Sequence, residues 1–413
     1  MGLTPKLPEL LCPAGSPRHL QTALIYGADA VYLGGSQLNL RSKARGFSRN
    51  ELQQAISLAA GYKARVYYCL NALPLQRDIP LIQEQLDMVS GLDLSGLIVA
   101  DPGVLDLARK NAPGLDLHLS TQANTCSLNS VNFWKDQGVK RVNLSRELEL
   151  SDIRAISRQV QGVELELFVH GAMCMAISGR CFLSAHLNRR SANQGLCAHP
   201  CRYEYRPFIT DLQEKTRPEY PLWTLEQGDS YSAIFSAQDL CLVKFIPWFV
   251  RNGIHALKIE GRTKSVAYLG IVTDIYRTAI DDFARKKFRP KQYLEELTHA
   301  GTRLMGTGLF LKNRITYPGP GRKACPRKKI LALILERKDE NKWLIQVKEK
   351  WPESVDVELV LPGMKRPLIP AEHYCLEGET GQKISTAHPG TNAIFCCQQE
   401  NVQEGIFIRG IIS

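Results

Sequence analysis

Four cysteines, Cys174, Cys181, Cys197 and Cys201, stand in one stretch, HGAMCMAISGRCFLSAHLNRRSANQGLCAHPCR, running from His170 to Arg202. Thiols gathered this closely can form disulfides, bind zinc or hold an iron–sulfur cluster. Structural zinc draws on cysteine pairs two to four residues apart. Only Cys197–Cys201 has that spacing, because six residues separate Cys174 from Cys181. Irregular intervals suit a cubane, whose corners face different directions, and four thiolates match the usual ligation of a 4Fe–4S cluster. Gly179, Gly195 and Pro200 let the backbone turn tightly, and Arg180, Arg189, Arg190 and Arg202 offset thiolate charge. On residues alone a 4Fe–4S cluster is favoured, while zinc and unligated thiols stay open. Cys241, in AQDLC, is the reserve for the fourth ligand.

Other residues could work beside these thiols. His170 opens the block and suits either acid–base work or a hydrogen bond that locks the loop. Glu260 and Arg262, in KIEGRTKS, offer a second catalytic candidate and an anion contact. Arg41 and Arg146 likewise present planar forks that fit carboxylate or phosphate. Gln122 and Asn124, in STQAN, are neutral hydrogen-bonding candidates that could equally fix a turn. A rim salt bridge is the plainer use of the arginines. The chain lacks an HExxH helix, a GxSxG elbow, a GxxxxGK[ST] loop and a CxxxCxxC triad.

What must position these residues is a series of short β-prone runs alternating with helical periods. The predicted strands are Glu9–Cys12, Ala30–Leu33, Arg65–Leu70, Gly96–Ala100, Asp116–Ser120, Arg141–Leu144, Glu164–Val169 and His255–Ile259. The predicted helices are Pro17–Tyr26, Arg49–Tyr62, Ile79–Val89, Val104–Lys110, Ser127–Gln137, Ser151–Gln159, Gln238–Asn252 and Lys264–Arg285. Eight βα units predict an α/β fold, a (β/α)8 TIM-like barrel over 1–287, with an open doubly wound sheet as the alternative. CPAG, LGG, LNALP, ADPG, STQAN, SREL, HGAMC and EGR all follow strands, so a barrel would collect them on its C-terminal rim. The cysteine block then becomes a large loop after strand seven, within an insertion over 170–238. Residues 288–328 read as a linker with a basic end, RKACPRKK, and 329–413 as a small all-β barrel domain.

Composition narrows the class. The 413 residues carry 52 Lys and Arg against 41 Asp and Glu, a net +11 compatible with a polyanion such as RNA or with a merely basic surface. No apolar run is long enough to span a bilayer and no signal-peptide pattern opens the chain, which predicts a cytoplasmic protein. In that reducing setting clustered thiols favour a metal site over disulfides.

LLCPAGSPRHLQTALIYGADAVYLGG, STQAN, VNLSREL, the cysteine block and LKIEGRTKS together resemble the collagenase-like peptidase family of unassigned catalytic class, most closely its tRNA-hydroxylating branch. The resemblance spans essentially the whole chain. It implies an enzyme that uses prephenate to form 5-hydroxyuridine at the tRNA wobble position, with an iron–sulfur cluster on Cys174, Cys181, Cys197 and Cys201. It also leaves a 23S rRNA cytidine hydroxylase, a ubiquinone-pathway subunit or a peptidase as alternatives. The rRNA branch usually carries a longer C-terminal extension, and the ubiquinone branch generally lacks the C-terminal β-domain. Prephenate is a dicarboxylate, for which Arg41, Arg146 and Arg262 are the expected contacts, and tRNA is the expected partner.

Overall fold

The computed structural model describes residues 6–411 apart from 39, 41–44, 175, 203–212, 215–216, 222–225, 228–231, 234–237, 302, 314 and 318–327. Eight parallel strands close a barrel: β1 (Glu9–Pro13), β2 (Ala30–Leu33), β3 (Arg65–Leu70), β4 (Gly96–Val99), β5 (Leu117–Leu119), β6 (Arg141–Asn143), β7 (Glu164–Ala172) and β8 (Ala256–Ile259). Each pairs with the next, and β8 pairs with both β7 and β1, which closes the ring and excludes the open doubly wound sheet. Helices follow the strands, and polar residues start them by accepting backbone N–H groups. Ser16 accepts from His19, Asp101 from Gly103 and Val104, Ser127 from Ser130, and Ser265 from Tyr268.

The barrel interior holds a lattice of ion pairs beside a small apolar cluster of Leu11, Ala30, Tyr32, Tyr67, Cys69 and Ile98. Arg141 on β6 donates to Glu9 of β1 at 2.6 Å and to Glu164 of β7 at 2.5 Å. Lys258 of β8 donates to Glu166 of β7 at 2.8 Å. These groups sit among Tyr67 and His118, whose rings lie 4.6 Å apart. A buried charge is tolerated only when paired, so this lattice fixes the mutual register of β1, β6, β7 and β8.

Two expected elements differ. The stretch Gln238–Asn252 does not begin as a helix: Asp239–Cys241 is a strand running antiparallel to the end of β7, and the helix is confined to Ile246–Arg251. Extension of β7 to Ala172 supplies the free edge on which that strand pairs. The stretch 288–328 is also built onto the barrel. Helix Pro290–Leu297 buries Tyr293, whose hydroxyl donates to Asp282 at 2.6 Å, and Met305–Gly306 pairs parallel to Asp239–Leu240. The RKACPRKK segment lies almost wholly outside the described residues.

Residues from Lys329 onward form an antiparallel half-barrel of seven strands. Its order is Leu368–Ile369, Val357–Val360, Phe407–Gly410, Lys329–Asp339, Lys342–Val347, Asn392–Cys397, Tyr374–Glu377. The rings of Trp351, Tyr374 and Phe395 pack inside it at tilted angles. This unit is joined to the long helix Val266–Ala284 and to helix Pro290–Leu297 by buried charge. Asp274 accepts from Gly363 N at 2.6 Å and Arg366 Nη2 at 2.7 Å, and Glu296 accepts from Arg366 Nε at 2.6 Å and Arg409 Nη1 at 2.7 Å. The Tyr26 hydroxyl donates to the Val360 carbonyl at 2.6 Å, beside its stack on Phe407.

Burial alone would raise the pKa of Glu296, but Arg366 and Arg409 outweigh it and hold the carboxyl down at about 2. A carboxylate whose pKa is lower folded than unfolded stabilises the fold above its unfolded pKa, about 4.3. That contribution disappears as pH falls through the folded value. Glu296→Gln is expected to cost roughly 3 kcal/mol at neutral pH, since it strips a partner from two buried guanidinium groups. The gap to wild type should narrow steadily between pH 4.5 and pH 2. Urea denaturation across that range measures it; a gap independent of pH would refute the assignment.

Candidate functional site

All the cysteines of the block border one cavity of about 410 Å³ on the C-terminal rim of the barrel. Its wall is assembled from successive strand ends: Thr121 and Gln122 after β5, Arg146 and Glu147 after β6, Ala172 to Cys174 at β7, and Glu260, Gly261, Thr263 and Lys264 after β8. The loop after β7 closes it from above with Cys181, Cys197 and Cys201.

A loop with little regular structure can be held only if its polar backbone finds partners. Glu147 accepts from the Ser178 N–H at 2.5 Å and the Ser178 hydroxyl at 3.1 Å. Asn193 clamps Cys181 on both sides, accepting from its N–H at 3.1 Å and donating to its carbonyl at 3.3 Å. The Leu73 N–H donates to the Asn193 carbonyl at 2.8 Å, so the loop after β3 grips the same residue. The Ser184 hydroxyl accepts from Ala198 N–H at 3.0 Å, and the His199 N–H donates to the Cys197 sulfur at 3.4 Å. Gly179, at φ +77°, lies on the Gln122 carbonyl, where a Cβ would stand 2.0 Å from the oxygen.

Of the residues singled out from the sequence, Gln122, Arg146, Glu260 and the four cysteines meet at this cavity. Arg146 lies with its guanidinium carbon 4.0 Å from the Phe168 ring centroid and donates to the Ala172 carbonyl at 3.3 Å. Its Nε is buried without a hydrogen-bond partner. Glu260 receives the Tyr32 hydroxyl at 3.3 Å. Arg262 is buried just behind the wall, 5.7 Å from the Tyr32 ring centroid, and its Nε is also unpartnered. Asn124 is not on the wall. It takes the left-handed conformation at φ 53° and donates to Ser145 at 3.2 Å, the turn-fixing role. Arg41 lies outside the described residues, although its neighbour Leu40 borders the cavity.

His170 is placed differently from the expectation of a rim acid–base group. A β-bulge between β7 and β8 sets Ile259 opposite His170, after Lys258 opposite Phe168. The extra residue turns the imidazole from the barrel lumen toward the long helix. There it packs on Tyr268 and Tyr276, with Nδ1 3.4 Å from the Tyr276 hydroxyl, and burial pulls its pKa down to about 4. Its contacts are those of a neutral histidine locking the strand to the helix. Gly171 beside it has φ +109°, and a Cβ there would meet the Glu260 carbonyl at 2.4 Å, so the two strand ends can touch only through glycine. Cys241 pairs with His170 inside the core, away from the cavity, and burial pushes its thiol up to about 12. Cys201, not Cys241, is therefore the fourth thiol at the cavity.

The sequence reading passed over Glu147, Asn193, Lys264 and His199. Lys264 borders the cavity, bonded to Asp239 at 3.3 Å and 4.8 Å from the Tyr268 ring centroid. His199, at φ 62°, brings Nδ1 to 3.8 Å from the Cys197 sulfur. Gly179→Ala is expected to lift the loop from Gln122, accelerating amide hydrogen exchange in residues 173–202 by at least tenfold while β1–β6 keep wild-type protection. Unchanged exchange in the loop would show that the close approach does not hold it.

Comparison with known proteins places these features in a lineage. The sequence model of peptidase family U32 matches residues 15–316. The tRNA hydroxylation protein P of Helicobacter pylori is 39% identical over 306 residues, covering 74% of this chain and 72% of that one. The tRNA hydroxylation protein P of Escherichia coli is 37% identical over 332 residues, covering 71% and 73%. A 23S rRNA 5-hydroxycytidine synthase of Escherichia coli is 32% identical over 273 residues, covering 66% of this chain and 39% of that one. With the matched region holding barrel strands β2 to β8 and the cysteine loop, the chain belongs to peptidase family U32.

Proposed function

We propose that this protein is an RNA-modifying enzyme that hydroxylates carbon 5 of the wobble uridine in tRNA, with prephenate as co-substrate and a 4Fe–4S cluster on Cys174, Cys181, Cys197 and Cys201. The observation that carries the reading is the meeting of the four cysteines with Arg146, whose buried Nε has no hydrogen-bond partner, on one cavity wall. An N–H left unbonded in a partly buried site is a penalty that an anionic ligand removes. The relatives named for tRNA hydroxylation support the substrate class. The rRNA alternative has less support, since the chain spans 39% of that relative.

The donor set fits the cluster. A tetrahedral zinc site, with Zn–S near 2.3 Å, draws its thiolates to about 3.8 Å from one another. Among the described residues no three of these thiols lie mutually within 4.8 Å, so they are not drawn together as such a zinc site would hold them. When bound, the cluster supplies a redox-active, Lewis-acidic iron at the cavity wall. The chain's own residues do the rest. Arg146 and Lys264 receive the two carboxylates of prephenate, the Gln122 amide faces the uracil edge, and Glu260 is the proton acceptor on the wall. A wobble base is accessible to such a cavity because anticodon-loop nucleotides can splay out of their stack.

Nucleoside mass spectrometry of tRNA from a deletion strain tests the function. Wobble 5-hydroxyuridine and its derivatives should be lost, restored by the wild-type gene, and not restored by Cys174→Ser. Arg146→Ala should leave iron bound but lower modification at least tenfold, as removal of a charged substrate contact does. Unchanged modification in a strain with no redundant pathway would reject the reading.

A further inference from the structure

The cysteine loop carries a second feature, on its solvent side. Phe182 sits between Cys181 and Leu183, both of which border the cavity, yet Phe182 itself is 77% exposed. It opens the short helix Leu183–Asn188, and the His186 N–H donates to its carbonyl at 2.9 Å. Phe182 and His186, four residues apart, therefore lie one turn apart on one face, and both are exposed. Arg180 and Arg189 flank the pair, both exposed, with Arg189 held at φ 54° directly after the helix. From Cys174 to Arg202 the chain has no aspartate or glutamate, so nothing in this stretch neutralises its arginines.

Aromatic rings left in water beside uncompensated arginines are the composition of a single-stranded RNA surface. Every base offers a π face to stack, and guanidinium groups take the phosphates between. We propose that Phe182 and His186 form a stacking platform at the cavity mouth. It receives the unpaired nucleotides next to the target base, while Arg180 and Arg189 hold their phosphates. This rests on the tRNA reading and adds what that reading lacks, a place for the rest of the loop. Charge selects RNA over an apolar protein partner, because a protein-docking face depletes like charge at its centre.

The test uses the full-length, anaerobically purified protein and a labelled anticodon stem–loop RNA, followed by fluorescence anisotropy. Phe182→Ala should weaken binding roughly 5- to 150-fold, the range of one lost base stack. Phe182→Trp should retain it. Arg189→Glu should weaken binding and reduce the salt dependence by about one released counterion. Iron content and melting temperature should match wild type in all three variants, since the altered side chains are exposed. If wild type binds the RNA and Phe182→Ala binds equally well, the platform is wrong while the hydroxylase reading stands. If wild type does not bind any tRNA or stem–loop, both are wrong. Loss of a protein partner with RNA binding intact would also overturn the platform.

Discussion

The site depends on seating an irregular loop against a barrel rim without leaving its backbone polar groups unpaired. Glu147 and Asn193 do this. One carboxylate takes two donors from Ser178, and one carboxamide takes both backbone groups of Cys181. A buried amide left unbonded costs about 1–3 kcal/mol, so these few contacts decide whether the loop lies on the rim or lifts away. Only when it lies down do Cys181, Cys197 and Cys201 face Arg146 and Gln122 across the same cavity.

The rim is in turn kept in place by charge below it and by a second unit beside it. The lattice of Glu9, Arg141, Glu166 and Lys258 sets the heights of β7 and β8 relative to each other. Those two strands deliver Cys174 and Glu260 to the cavity. Their bulge diverts His170 into the helix packing, where Tyr276 also donates to the Val169 carbonyl at 2.8 Å. The half-barrel grips the same helix through Asp274, so the C-terminal unit is coupled to the strand ends by one continuous stretch of packed residues.

Much of this was legible in the sequence. The eight strands follow from short apolar runs between helical periods, and the clustering of CPAG, STQAN, SREL and EGR after strands located the rim. What could not be read depends on distant pairings. The bulge at His170 exists only in the register with β8, which a linear pattern does not encode. Asp239–Cys241 looks helical in isolation and becomes a strand because β7 offers an edge. The roles of Glu147 and Asn193 are likewise invisible, because Ser178 lies 31 residues from Glu147 and nothing local marks the pair. A carboxylate directly after Arg146 in SREL was the one available sign. Cys201 and Cys241 were separated by burial, a property of the fold rather than of spacing.

The central claim is that four particular thiols of the loop, and not the buried one behind it, form a single iron-binding face. Iron analysis with Mössbauer spectroscopy on anaerobically purified protein tests it most directly. The account predicts about four irons per chain in one cubane signature, lost on Cys201→Ser and kept on Cys241→Ser. Stoichiometric zinc in a colourless protein, or a cluster that survives Cys201→Ser and disappears with Cys241→Ser, would contradict it.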